Sequence, residues 1–354
     1  MLVNSKQAGK IYENLADEES KNVFLKRLAF NLVPSRENIH ELARLGDAGI
    51  IDAIEKFTDC GVKVCVYGVG RHRGHPGRVM CSIFRDHLAA ALDRDAEHIG
   101  EINDYGLNTP VWKPEKISEF SDGDMVVIIA TQNTKYQKEM LANLAELGVL
   151  ERNVRSVMFH PPLDYFNWPF FKYGEVEIFV DCGCFDGETS RQFIEKIQKQ
   201  PNASVAKIFA YEPDEKHYAV CVGNLADVPF ARVKNLGAWS KNETLCFYEG
   251  ARGSSRISDA GDLTINAVAL DDDLAEEQVT FIKMDVESAE LNALKGAEKL
   301  IRANRPKLAI CVYHKPEDIL EIPEFIINLN LNYRLYLRHQ SYTMFETIVY
   351  ATPN

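Results

Sequence analysis

One pattern occurs twice along this chain: a short apolar run, a glycine-bearing turn, then a stretch with helical spacing. The first instance starts at Lys63, where Val64-Cys65-Val66-Tyr67 leads into Gly68-Val69-Gly70. Further apolar runs lie at Leu88–Leu92 and Met125–Ala130, with helical patterns from about Arg78 and from Thr131 to Leu147-Gly148. The second instance starts at Ile178, with strands expected near Ile178–Val180, Ile208–Tyr211, Arg232–Leu236, Phe281–Met284, Leu308–Tyr313, Tyr333–Leu337 and Thr347–Tyr350. Continuous apolar strands alternating with helices imply a mostly parallel sheet covered on both faces. The expected fold class is therefore α/β, with two Rossmann-like domains. Only His339 to Phe345 separates the last two runs, and a parallel pair needs a crossover of about a dozen residues. The last strand should run against the others.

At 354 residues the chain is long enough for two domains. Residues 1–59 read as a helical, polar segment, a lead-in or packing arm, with Val23, Leu25, Leu28 and Leu32, and then Ile50, Ile51 and Ile54, at helical spacing. Residues 60–160 read as the first Rossmann-like domain and 161–177 as an aromatic, proline-bearing linker whose rings should pack between the domains or line a pocket. The second domain is expected over 178–354. The net charge of −12 disfavours nucleic acid or an anionic membrane surface as main partner. No apolar run reaches the roughly 20 residues of a membrane helix, and the N-terminus lacks a secretory apolar core, so a cytoplasmic protein is expected. Eight cysteines without a CxxC pair read as free thiols.

The chemistry-bearing residues concentrate in the second domain. Its first strand ends in Asp181-Cys182-Gly183-Cys184-Phe185-Asp186-Gly187-Glu188-Thr189. Gly183 and Gly187 allow a turn with close backbone approach. Asp181 is placed to accept from an ammonium group, and a helix starting near Thr189 offers amides to a carboxylate. Cys182 and Asp186 complete this loop. The second strand ends at Glu212-Pro213, and an acid there suits two ribose hydroxyls. The third leads to Gly237-Ala238, where an adenine edge could rest.

On these residues, together with Ala269-Leu270-Asp271-Asp272, Phe281-Ile282-Lys283-Met284-Asp285-Val286-Glu287-Ser288-Ala289-Glu290 and Leu294-Lys295-Gly296-Ala297, the chain resembles the FkbM family of methyltransferases from about Ile178 to Ala351. It departs at Ser288, where that family usually has glycine. The resemblance implies a class I methyltransferase sheet of seven strands, S-adenosyl-L-methionine as donor, and O-methylation of a sugar, glycan or natural product.

Lys283, Asp285 and Glu287 alternate at a strand end, and side chains two apart share a face while the chain is extended. They are expected to converge, with Asp285 on the methionine ammonium or the acceptor and Lys283 pairing with Glu287. His314, at the end of the next strand, is the preferred general base; Asp285 or Glu287 is the next candidate. Alternatively, Asp285, Glu287 and His314 ligate a divalent metal such as magnesium. The polar segment holding Arg252, Ser254, Ser255 and Arg256 reads either as a lid over the acceptor or as a surface hairpin. In the first domain, Gly68-Val69-Gly70, the neighbouring Arg71, His72 and Arg73, and Asp93 could form a nucleotide site. Two other functions therefore stand beside methyl transfer: a nucleotide- or NAD-binding sugar-modifying enzyme, and a noncatalytic scaffold. The expected partner is a small-molecule or saccharide acceptor, and a homodimer is compatible.

Overall fold

The structure is a computed structural model that describes residues 4–120, 125–131, 134–157, 163–248, 256–257 and 263–354. The chain divides into two compact units. One comprises Asn22–Leu163 with His339–Thr347. The other comprises Met1–Lys21, Asp164–Arg338 and Ile348–Asn354. Both are α/β.

The first unit holds a six-stranded sheet in the order Glu101–Ile102, Thr109–Trp112, Leu88–Leu92, Lys63–Tyr67, Met125–Ala130, Val154–Val157. Its pairings are parallel except for the short edge pair Glu101–Ile102 and Thr109–Trp112. The three central strands are the apolar runs visible in the sequence; the edge strands are short and half exposed, so they lack a continuous apolar signal. Helices Glu18–Leu32 and Arg36–Asp59 precede this sheet in the chain. Phe30, Ile39, Leu42, Ile51 and Ile54 join the core with Val64, Val66 and Val126.

The second unit holds a seven-stranded sheet in the order Arg334–His339, Thr347–Thr352, Lys307–Cys311, Phe281–Met284, Val176–Cys182, Ser204–Tyr211, Ala231–Lys234. Thr347–Thr352 is antiparallel to Lys307–Cys311, so the last strand runs against the others as expected; Lys307–Cys311 through Ala231–Lys234 are parallel. A smaller four-stranded sheet of Gly237–Ala238, Glu243–Tyr248, Arg256–Ile257 and Leu263–Val268 is not among the strands read from the sequence.

Two expectations about segments are corrected. The first 21 residues are built into the second unit rather than into one N-terminal arm. Helix Ser5–Asn14 packs on helix Asp318–Asn328, Leu15 bridges to Leu335, and Ser20 Oγ accepts from the Leu337 amide at 2.9 Å. The aromatics after Leu163 are not a linker filling. Phe166 sits edge-on among Phe179, Phe193 and Phe281, and Phe171 packs against Phe281 and Tyr350, all within the second unit. Burying such rings is worth more than leaving them at a solvated junction.

Candidate functional site

The carboxyl ends of the parallel strands of the second sheet carry the candidate site, where open α/β sheets bind their ligands. After Val176–Cys182 the chain turns at Gly183, whose φ is +75°. A Cβ on Gly183 would lie 1.8 Å from the Asp285 carbonyl oxygen, so only glycine fits. Gly187, at φ +83°, caps helix Glu188–Gln198, and a Cβ there would press on Cys221 and Leu225. Asp186 Oδ1 accepts from the Glu188 amide at 3.1 Å. Thr189 lies in the first turn, half-buried. Phe185 is left-handed (φ +51°) and exposed, its ring 4.1 Å from that of His217.

Asp181 does not face this loop. It is fully buried, accepting from Ser190 Oγ at 2.8 Å, with Lys283 Nζ 3.1 Å away. Asp181 and Lys283 are register partners on adjacent strands. Lys283 also donates to the Gly183 carbonyl at 2.7 Å. Burial alone would lower its pKa, but Asp181 and Asp285 outweigh that and hold the amine above its ordinary value. The expected ammonium ligand Asp181 and the expected Lys283–Glu287 pair are thus both replaced by a buried brace beneath the glycine turn. Cys182 is buried too, and its carbonyl accepts from the Asp285 amide.

Glu212, by contrast, is where the sequence places it. It ends Ser204–Tyr211 and is nearly buried; Oε2 accepts from the Phe185 amide at 3.0 Å and Oε1 from the Asp214 amide at 3.0 Å. Burial pushes its carboxyl up to about 7. Each oxygen keeps lone-pair capacity for another donor. Asn235 Nδ2 donates to the carbonyls of Glu212 and Pro213, fixing this turn, and Gly237–Ala238 continues it in the small sheet.

Beyond Phe281–Met284 the backbone stops being extended: Glu287 and Ser288 have φ +51° and +81°. The left-handed Ser288 occupies the position where the resembling family has glycine, and Lys315 Nζ donates to its carbonyl at 2.5 Å. Asp285 is the hub. Tyr165 and Tyr313 hydroxyls donate to its two oxygens at 3.3 and 3.2 Å. His314 Nε2 lies 3.4 Å from Asp285 and 3.5 Å from Glu287, and its Nδ1 lies 2.9 Å from Glu290. Burial would lower the His314 pKa; Glu290 first, then Asp285 and Glu287, raise it to about 10. Burial pushes Asp285 upward, but the Lys283 and His314 charges outweigh this and leave it below its ordinary value.

Tyr165, Tyr313 and Glu290 were missed by sequence reasoning. Glu290 Oε1 also accepts from the Val286 amide at 2.9 Å, so its signal was a carboxylate six residues after a strand end (290 − 284). Glu290, Asp285 and His314 are the one group among the described residues whose ligand atoms, all within 4.8 Å of one another, could hold a metal ion. This set has Glu290 where Glu287 was expected. Arg252, Ser254 and Ser255 lie outside the described residues. Arg256 is described only as strand, paired with Tyr248.

Residues 181–340 match the model of the methyltransferase FkbM domain. The chain carries an FkbM methyltransferase domain. It is a methyltransferase, and the activity that goes with this domain is S-adenosylmethionine-dependent methylation. A solved structure, methyltransferase FkbM from Methylobacillus flagellatus KT, aligns over 94% of this chain and 99% of its own at 18% identity and a TM-score of 0.50, a likeness of fold. An rRNA methylase from Streptococcus thermophilus aligns over 51% of this chain and 89% of its own (14% identity, TM-score 0.34). Fibrillarin from Aeropyrum pernix, with natively bound S-adenosyl-L-methionine, aligns over 51% and 67% (10% identity, TM-score 0.33). No curated protein matches the chain. No helix among the described residues is long and apolar enough to cross a membrane.

In the first unit the glycine turn is closed by its own residues. Asp93 Oδ2 accepts from the Val69 and Gly70 amides, at 3.0 and 3.1 Å, and Oδ1 from the Asp95 amide. Arg78 donates to the Gly70 carbonyl and pairs with Asp104. Arg71 pairs with Asp95, Arg73 lies over the Tyr105 ring, and the His72 and His75 rings meet edge to face.

Proposed function

We propose that the second unit transfers the methyl group of S-adenosyl-L-methionine to a hydroxyl of a sugar, glycan or natural product. The observation that carries this reading is Asp285, a low-pKa carboxylate held by two tyrosine hydroxyls beside the glycine turn, with the part-buried His314 behind it. Glu212 would hold the donor's ribose, since its two oxygens each retain one lone pair on the open side of two backbone amides. Gly183, Asp186, Gly187, Thr189, Pro213, Gly237 and Ala238 would shape the remainder of that site.

When bound, the donor supplies an electrophilic methyl whose bond to sulfur breaks as the acceptor oxygen attacks. Much of the protein's task is then positioning. The reaction turns a hydroxyl into an ether and must shed one proton. Early in the attack the hydroxyl is a very weak acid; once the new bond forms, its proton becomes strongly acidic. A carboxylate suffices to take it late. Asp285 therefore fits the base role better than His314, which with a pKa near 10 is already protonated at neutral pH. His314 then serves as the fixed cation that keeps Asp285 ionised, with Glu290 orienting the ring and Glu287 at its outer side.

A divalent cation in place of that proton is a second reading, favoured by Glu290, which is fully buried with Oε2 lacking a hydrogen-bond partner. An imidazole with two carboxylates suits manganese or zinc better than magnesium, which prefers oxygen ligands.

The test is transfer of labelled methyl from the donor to a panel of hydroxyl-bearing acceptors. Asp285→Asn should bind S-adenosylhomocysteine but lose most turnover. Turnover that survives in Asp285→Asn would remove it as base, and turnover abolished by a chelator and restored by manganese would establish the metal reading.

A further inference from the structure

A second pocket lies at the opposite edge of the same sheet. Its cavity, about 390 Å³, is lined by Thr280, Lys307, Arg334 and Thr352 together with Lys172 and Arg305. Thr280 precedes Phe281–Met284, Lys307 opens Lys307–Cys311, and Arg334 opens Arg334–His339. These are the amino ends of strands whose carboxyl ends carry Asp285 and His314. Seven residues separate Lys307 from His314 (314 − 307), roughly 20 Å along a strand at about 3.3 Å per residue. The cavity is distinct from the donor and acceptor sites.

Its charge is unusual for this protein. The chain carries a net −12, yet Lys172, Arg305 and Arg334 are exposed in the walls of this pocket, and no carboxylate pairs with any of them among the described residues. The acid nearest the floor, Glu177, is consumed. Lys307 Nζ lies 3.0 and 3.1 Å from its two oxygens, the Gly174 amide donates to it at 2.7 Å, and Thr280 Oγ1 bonds to it as well. The floor is neutral, and the three cations Lys172, Arg305 and Arg334 in the walls outnumber the one carboxylate that also lines the pocket, at Asn354.

Arg305 adds an independent sign. It caps helix Glu298–Asn304 at φ +48°, a left-handed position that usually goes to glycine or asparagine. An arginine there carries a backbone cost, while its guanidinium makes no ion pair among the described residues to offset it. Arg334 lies over the Tyr336 ring, which is stacked on Phe170 at 4.0 Å, so its side chain rests against a fixed aromatic wall. Two arginines and a lysine around a pocket of ligand size match the forked recognition of a multiply charged phosphate.

We propose that this pocket binds a diphosphate-bearing small molecule. Inorganic pyrophosphate and ADP are the probes, and citrate controls for general anion attraction; titration calorimetry at low ionic strength reads the affinity. Pyrophosphate should bind one per chain. Arg305→Gly, which also relieves the left-handed strain and so should fold at least as well, should weaken it at least tenfold, as should Arg334→Ala. S-adenosylhomocysteine affinity should not change in either variant. Tighter binding of ADP than of pyrophosphate would identify a nucleotide as the source, and equal binding a bare diphosphate group. Unchanged pyrophosphate affinity in both variants, or citrate binding as tight as pyrophosphate, would overturn the proposal.

Discussion

The two units present the same local device with opposite outcomes. In each, the central strand ends in a left-handed glycine whose amide bonds to the end of the neighbouring strand: Gly68 to Leu92, Gly183 to Tyr211. In each, the acid just beyond that neighbour takes amides of the glycine loop, Asp93 in the first unit and Glu212 in the second. The shorter Asp93 sits close and gathers three amides, two of them on one oxygen. Glu212 takes one amide on each oxygen, so each can accept once more. A Cβ on Gly70 would strike the His75 ring at 2.3 Å, so the first turn is already filled by its own chain. One βα unit with an acid after the second strand is therefore a fold device first. It becomes a ligand site where both oxygens of the acid retain acceptor capacity and its own chain does not fill the turn.

The largest expected effect concerns what lies under each loop. The second is braced by buried Lys283 on Asp181, the first by Arg78 on Asp104. Removing one partner of a buried pair costs about 3–5 kcal/mol. Lys283→Met and Arg78→Met should both lower stability by that amount in chemical denaturation. Lys283→Met should also weaken S-adenosylhomocysteine binding, because the Gly183 carbonyl loses its anchor, whereas Arg78→Met should leave binding intact. Equal weakening by both would erase the contrast.

Next come the acids themselves. Glu212→Gln should weaken S-adenosylhomocysteine about ten- to a hundredfold, since bonds to a charged group are worth about 1.5–3 kcal/mol. Asp93→Asn should cost about 1–3 kcal/mol of stability, through amides left without an acceptor, and no affinity. If Asp93→Asn also weakens the donor product, the assignment of Asp93 as purely structural is wrong.

A subtler difference is in pH. Burial lifts Glu212 from 4.5 to about 7 in the free protein. The folded chain thus holds a proton that the unfolded chain has released, so this group's stabilisation is full below about 4.5 and declines as pH rises through 7. Ribose hydroxyls require the ionised form. The affinity for S-adenosylhomocysteine should therefore rise with pH, up to tenfold per unit, and level off above about 7. Glu212→Gln should flatten the profile; a slope that persists in that variant assigns the titration to another group.

Why these residues differed in legibility is physical. The central strands, Gly183 and Glu212 were readable because apolar runs and turn chemistry act over a few neighbouring residues. The ion pair of Lys283 was not, since Asp181 is its partner through sheet register, 102 residues away (283 − 181). A signal did exist: a lysine inside Phe281-Ile282-Lys283-Met284 must be buried, and a buried lysine demands an acid. Tyr165 reaches Asp285 across 120 residues from a segment whose aromatic content alone is mostly core material. The expected convergence of Lys283, Asp285 and Glu287 failed for a local reason, because it assumed extended backbone where Glu287 and Ser288 turn left-handed.

That turn yields the smallest effect. Ser288, at φ +81°, carries a Cβ in a conformation that costs about 1–2 kcal/mol for a residue other than glycine. Glycine would remove that cost but add about 0.5–1 kcal/mol of chain entropy lost on folding. Ser288→Gly should therefore stabilise the protein by up to about 1.5 kcal/mol, read as a small rise in Tm. The bonds that shape the turn survive the change, because Lys315 holds the Ser288 carbonyl and Glu290 holds the Val286 amide. Turnover should then be unaltered, since Asp285 and His314 keep their positions. A loss of stability would mean the Ser288 side chain contributes more than its strain costs; a change in turnover at unchanged stability would make the left-handed serine part of the acceptor site, where the first unit has no equivalent.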